Sequence, residues 1–395
     1  MSIIRKSSIA ACVLACLGLS STANAAEFNF NGFASIVGGT YSEDDTTYAG
    51  YDDDFDFSQD TVAGIQISSQ INDKFKATVQ LIARGADDYD VEAELAFLTY
   101  SVNDKFDIRG GKLRVPFFYY SDFLEVGYAY PWIRTPNETY GRIVVDSFEG
   151  LDFLYRTNHG DWSGNWQFFY GRDDRVIESE ILNQDIKTEN KNFAGVSINF
   201  SNDWLTLRGG YVRTDITQDV PNTFQGLLDA MTASGFGDVA DDWAQDIEKR
   251  LEYMAFAVVV DYNNWLFNAE YTTIDWDRPT LLLNDESYFA MVGRRFDDIT
   301  VHFTYSYKED DPEFEGNKIP EDHPLHAVFD GVLLADPFNS ELTSYTAGVR
   351  YDIDLGVALK LEVSRFESDY ATPVPGQTNP LGEGTLVNFG VDVVF

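Results

Sequence analysis

From residue 26 onward the chain repeats one theme. About ten residues of alternating apolar and polar side chains lead to a short turn, a second such stretch, and then a longer polar connection. The alternation is clearest where Ile299, Val301, Phe303, Tyr305 and Tyr307 alternate with Thr300, His302, Thr304, Ser306 and Lys308. Successive side chains of an extended strand point to opposite faces, so this spacing gives a strand with one apolar and one polar face. Strands are predicted near 27–41, 58–71, 75–85, 91–102, 105–114, 147–157, 161–172, 191–200, 203–215, 250–262, 264–275, 285–296, 299–309, 341–353, 357–370 and 384–395, about sixteen in all.

The connections alternate in length. Asn72-Asp73-Lys74, Asn103-Asp104, Asn158-His159-Gly160, Asn202, Asn263, Asp297-Asp298 and Asp354-Leu355-Gly356 are short, whereas 43–57, 86–90, 115–146, 173–190, 216–249, 276–284, 310–340 and 371–383 are long. A soluble sandwich shares the period of two, but its Greek-key crossings mix the two lengths. Strict alternation belongs to a meander whose two ends face different compartments. The expected fold is therefore all-β, a transmembrane antiparallel up-and-down barrel over 26–395. Phe75, Ala77, Val79, Leu81 and Ala83 would face lipid, and Lys76, Thr78, Gln80 and Arg84 the lumen. Trp162, Trp166, Phe168 and Tyr170 would likewise point out. Trp204, Trp265 and Phe75 after short turns, with Tyr41, Tyr170, Tyr271 and Tyr307 before long ones, suggest two interfacial girdles. Alternation fails at Gly110-Gly111 and Gly209-Gly210, candidate bulges.

One long connection is unlike the rest. The stretch from Val115 to Val145 holds Pro116, Pro131 and Pro136, which break sheet pairing, yet it is crowded with aromatics. A loop this apolar must pack against something, and the reading is that it folds into the barrel and narrows it. In 216–249, Phe224 to Met231 and Trp243 to Arg250 recur at near-helical spacing and predict two short helices.

Composition sets the compartment. Arg5 and Lys6, an apolar run from Ile9 to Leu19, and Ala23-Asn24-Ala25 predict a signal peptide over 1–25. A lipoprotein signal cut before Cys16 is the rival. Cys12 and Cys16 both lie in this segment, so the mature chain is expected to lack disulfides. The formal charge of −37 excludes nucleic acid as a partner, because a polyanion would be repelled. Beyond the signal no apolar run is long enough for a transmembrane helix, which leaves a closed barrel as the way to span a membrane.

The last strand places Val387, Phe389, Val391, Val393 and Phe395 on one face and ends on an aromatic. With the strand count and signal, the chain resembles the Gram-negative outer-membrane porin family along its whole mature length. The resemblance implies a sixteen-stranded barrel, usually trimeric, with the third long loop folded inward as a constriction. It also implies outer-membrane lipid and lipopolysaccharide as surroundings and the barrel-assembly machinery as reader of the Phe389, Val391, Val393 and Phe395 strand. Gly111-Lys112 followed by Pro116-Phe117 is similar to the start of that loop in phosphate-selective porins, but no lysine-rich cluster accompanies it.

No bond chemistry is expected of such a channel, and no cofactor or metal. Asp122, Glu125 and Glu138 of the loop would face Lys76, Arg84, Arg109, Lys112 and Arg114 of the wall, setting up a transverse field that orients polar solutes. The same residues would alternatively only anchor the loop. Tyr119, Tyr120, Tyr128 and Tyr130 form a candidate aromatic track for sugars, with wall packing as the competing role. Arg156, Arg208, Arg295, Arg350 and Lys360 are inward by parity and form a candidate basic ladder. Asp52-Asp53-Asp54-Phe55-Asp56 lacks the spacing of a calcium loop, and His323 with His326 is no zinc signature by itself. The expected function is passive diffusion of small hydrophilic solutes and ions, with cations favoured by the acidic balance. The alternatives are a sugar- or anion-specific channel, an adhesin working through its long loops, and a barrel enzyme, for which no nucleophile elbow is present.

Overall fold

The computed structural model describes residues 27–43, 47–141, 145–179, 184–219, 222–244, 248–277, 284–311, 317–334, 339–371 and 382–395. The expected export segment lies outside them. Sixteen strands are found among these residues: β1 (Glu27–Tyr41), β2 (Val62–Asn72), β3 (Phe75–Arg84), β4 (Val91–Asn103), β5 (Phe106–Arg114), β6 (Ser147–His159), β7 (Trp162–Ser179), β8 (Gln184–Ser201), β9 (Leu205–Gln218), β10 (Lys249–Tyr262), β11 (Trp265–Trp276), β12 (Asn284–Phe296), β13 (Ile299–Asp311), β14 (Ser340–Asp354), β15 (Val357–Tyr370) and β16 (Gly382–Val394). Each pairs antiparallel with its sequence neighbours. β1 also pairs with β16 from Phe33↔Val394 to Tyr41↔Leu386, so the sheet closes into a barrel with no free edge. Phe395 completes the seam through reciprocal backbone bonds with Gly32 at 2.8 and 3.0 Å.

The faces follow the alternation. On β13, Val301 and Phe303 are exposed on the outer surface while Thr300, His302, Thr304, Ser306 and Lys308 are buried within. The break at Gly110-Gly111 has a local cause. Gly111 adopts φ 136°, and a Cβ there would lie 2.2 Å from Ala96 O, so only glycine fits this close approach of β5 to β4.

Three expectations need correction. The supposed loop over 173–190 is largely sheet, because β7 and β8 stay paired from Asp173↔Asn190 out to Ser179↔Gln184. Its charges read as loop, but a strand that rises past the membrane carries polar residues on both faces. Tyr41 does not join a girdle. It points inward, 2% exposed, and packs with Tyr48, Tyr51 and Leu386. The helix expected to begin at Trp243 ends there instead, since Lys249 already starts β10.

Four α-helices are found among the described residues: α1 (Asn137–Tyr140), α2 (Asn222–Ala233), α3 (Gly237–Trp243) and α4 (Pro324–Leu333). The last three pack into a cluster with its own apolar core, in which Trp243 meets Phe329 edge-on at 5.1 Å and Met231 and Phe329 are fully buried. His323 caps the N-terminus of α4 by accepting from Leu325 N, and His326 lies 3.1 Å from Asp330, so both histidines serve helix geometry.

Candidate functional site

The proline-rich connection between β5 and β6 runs inside the barrel. Phe117, Phe118, Tyr120, Tyr130, Trp132 and Tyr140 are all buried against inward side chains of the wall, among them Phe148, Phe169, Phe193, Tyr253, Phe289 and Met291. These wall residues are the part that strand parity missed. A lumen face is normally polar, yet here a patch is apolar because the loop, not water, covers it. The signal was present as lost alternation. Phe168-Phe169-Tyr170 and Phe289-Ala290-Met291-Val292 are continuous apolar runs, the mark of a strand covered on both faces.

Polar clamps fix the loop across the lumen. Lys360 of β15 donates to Gly127 O at 2.7 Å and to Trp132 O, and pairs with Asp392 of β16 at 2.7 Å. Arg350 of β14 donates to Tyr128 O and Tyr130 O at 2.7 and 3.0 Å, with its guanidinium 4.6 Å from the Tyr128 ring centre. Arg208 of β9 donates to Pro116 O, Trp132 Nε1 to Thr304, and Tyr140 Oη to Glu270. The candidate basic ladder therefore does not form. Arg208, Arg350 and Lys360 are spent on loop carbonyls, while Arg156 and Arg295 pair with Asp107 and Asp261.

The loop carboxylates part company. Glu138 is 1% exposed and accepts from Tyr48 Oη at 3.0 Å, so it does not line a passage. Burial pushes its carboxyl above the ordinary value and pushes the Tyr48 hydroxyl up as well. Glu125 is bound to Arg84 at 2.6 Å. Only Asp122 is exposed.

The wall cations also separate. Arg84 joins Glu94 and Glu125, and Arg114 is 7% exposed with Glu94 at 3.0 Å, so these two hold the loop's ends in an ion network rather than meet solute. Lys112 turns to the face opposite buried Leu113 and donates to Ala93 O. Lys76 is exposed, two residues from the short turn and some 26 Å along β3 from Arg84 at ~3.3 Å per residue. The Arg109 side chain is 20% exposed. It lies over the Phe97 ring at 5.3 Å and is bonded to Asp152. Of the aromatic track, Tyr120 and Tyr130 are 6% exposed and serve as packing. Tyr128 reaches Gly356 N at 3.2 Å, and Tyr119 is half-buried.

On the β1–β3 side the loop and the wall bound a pocket between them. This pocket, of about 230 Å³ and bounded by Asp60, Arg84, Glu125 and Arg134, shares Val62 with the apolar cluster of Phe33, Val62 and Ile82, against which Val126 packs. Elsewhere on the wall Arg109, Asp152 and Gln167 are bonded to one another across β5–β7, and the charge of Asp122 acts on Arg109.

These features define a class, the transmembrane β-barrel narrowed from within by one of its own loops. The chain belongs to the Gram-negative porin family, whose sequence model matches residues 10–371, and is an outer-membrane channel-forming protein. Its fold is similar to that of an anion-selective porin from Comamonas acidovorans, at 11% identity, TM-score 0.59, covering 94% of this chain and 100% of that one. It is similar too to the outer membrane channel DcaP of Acinetobacter baumannii, at 9% identity, TM-score 0.59, covering 95% and 100%. The outer-membrane expressed OmpT of Vibrio cholerae aligns at 11% identity, TM-score 0.56, over 95% and 99%. Identities this low carry the fold alone. No curated protein sequence matches the chain.

Proposed function

We propose that the protein conducts small hydrophilic solutes and ions passively, with a preference for cations, and performs no bond chemistry. The observation that carries this is the position of Asp122. It is the exposed carboxylate of a loop otherwise packed away, beside a wall whose arginines are each matched by an acid. A negative charge at a narrow aqueous gap favours cations. We further propose export by the segment 1–25, outer-membrane lipid, lipopolysaccharide and the barrel-assembly machinery as partners, and a homotrimer. A trimer form of OmpT of Vibrio cholerae is among the similar folds.

Planar-bilayer recording of the refolded chain tests the reading. Discrete open channels with a cation-directed reversal potential are expected, and Asp122→Asn should move that potential toward zero with little change in conductance. Folded protein that gives no channels refutes the channel, whereas an anion-directed potential refutes only the selectivity.

A further inference from the structure

The charges around Arg109 do not stand alone. Arg109 of β5 is in register with Asp152 of β6. Its Nε lies 2.8 Å from Oδ1 and 3.0 Å from Oδ2, and its Nη2 bonds Oδ2 as well. Gln167 of β7 donates to the same Oδ2 at 2.9 Å. The Asp152 side chain is 0% exposed, and the Arg109 side chain bonded to it is 20% exposed. Nearer the short turns Arg156 donates to Asp107 at 2.8 Å. Asp122 of the loop is exposed and close enough for its charge to act on Arg109, and among the described residues no ion pair is recorded for it.

A guanidinium held bidentately by a carboxylate acts at a distance as a dipole, and its field falls off faster than that of a single charge. Arg109 and Arg156 are thus balanced by Asp152 and Asp107, and Asp122 is left over. We propose that Asp152 is the residue that sets ion selectivity. It never meets the permeating ion, but it cancels Arg109 and so leaves the passage to the field of Asp122. Asp152 is a positioning and charge-balancing residue, and Arg109 is the group through which it acts. Gln167 keeps the carboxylate aligned, and the Phe97 ring supports the guanidinium from below. This assignment rests on the channel reading above.

The test is the reversal potential of the full chain in a potassium chloride gradient at low salt. Asp152→Asn keeps the shape and one acceptor but removes the charge. It should lower the cation-to-anion permeability ratio on the order of 10-fold, as expected for one weakly screened charge about 5 Å from the ion path in water, which acts in opposite senses on cation and anion. The double variant Arg109→Gln with Asp152→Asn should return to near the wild-type ratio, since nothing is left to unmask. A loss of pore geometry alone would not be repaired by the second substitution. If Asp152→Asn prevents folding, Asp152→Ser, which leaves room for water around the guanidinium, reads the same shift. A ratio unchanged in conducting single variants, or a double variant shifted as far as the single one, overturns the assignment and leaves the channel standing. Absence of channels from the wild type overturns both.

Discussion

Glu138 and Asp122 sit in one loop, sixteen positions apart, and differ in what surrounds them. Glu138 is enclosed by Tyr48 and the loop's own backbone, and one of its oxygens has no hydrogen-bond donor. Its carboxyl is held above the ordinary value by burial, so the sign of the pH effect is set. The stabilising share of this group is complete below the unfolded value near 4.3 and is lost as pH rises through the folded one. Glu138→Gln should remove that loss. Urea unfolding in detergent is expected to give equal stabilities near pH 4 and a gain for the variant on the order of 1 kcal/mol near pH 8. A gap that widens toward acid pH would contradict the burial argument. Nothing in the residue types distinguished the two carboxylates, because exposure is a property of the folded loop.

At the scale of elements the strands were legible and the loop's bed was not. Alternation located β13 at Ile299 and β1 at Glu27 to Tyr41 without error in their first residues, because lipid outside and water inside enforce period two. Where the loop replaces water, the code changes, and Phe169, Phe193 and Phe289 face inward. The prolines and aromatics marked the loop as unusual, but not which wall would receive it. Arg208 bonds a loop carbonyl beside that wall, and Lys360 and Arg350 of β15 and β14 bond others from across the lumen. Lys360→Met would strand Asp392, which has a side chain 6% exposed, without its partner at 2.7 Å. Breaking such a buried pair costs about 3–5 kcal/mol. A lower unfolding midpoint and noisier, larger single-channel currents are expected, and unchanged current noise would mean that the clamp does not hold the loop.

Across the whole molecule the formal charge of −37 is unevenly spread. Glu286, Glu309, Glu341 and Asp369 lie side by side on β12 to β15, each in register with the next, on the outer face near the long loops. Like charges directly opposite in a sheet are destabilising. Glu309→Gln should therefore raise thermal stability by about 0.5 kcal/mol, and the wild type should gain more from added salt than the variant does. Melting in detergent across a salt series measures both, and parallel salt curves would refute the repulsion.

The sequence by itself determined the closed barrel, its strand number and its alternating short and long turns, since each follows from local periodicity and from the rule that no backbone group stays unpaired in lipid. It also marked the loop at 115–146 as a packed one. Only the tertiary structure decided which charges cancel. Asp152 and Arg109 are forty-three positions apart, Lys360 and Gly127 two hundred and thirty-three, and such pairings depend on strand register and loop docking. Electrostatic partnership acts over a few ångströms of space, and spacing along the chain does not carry that information.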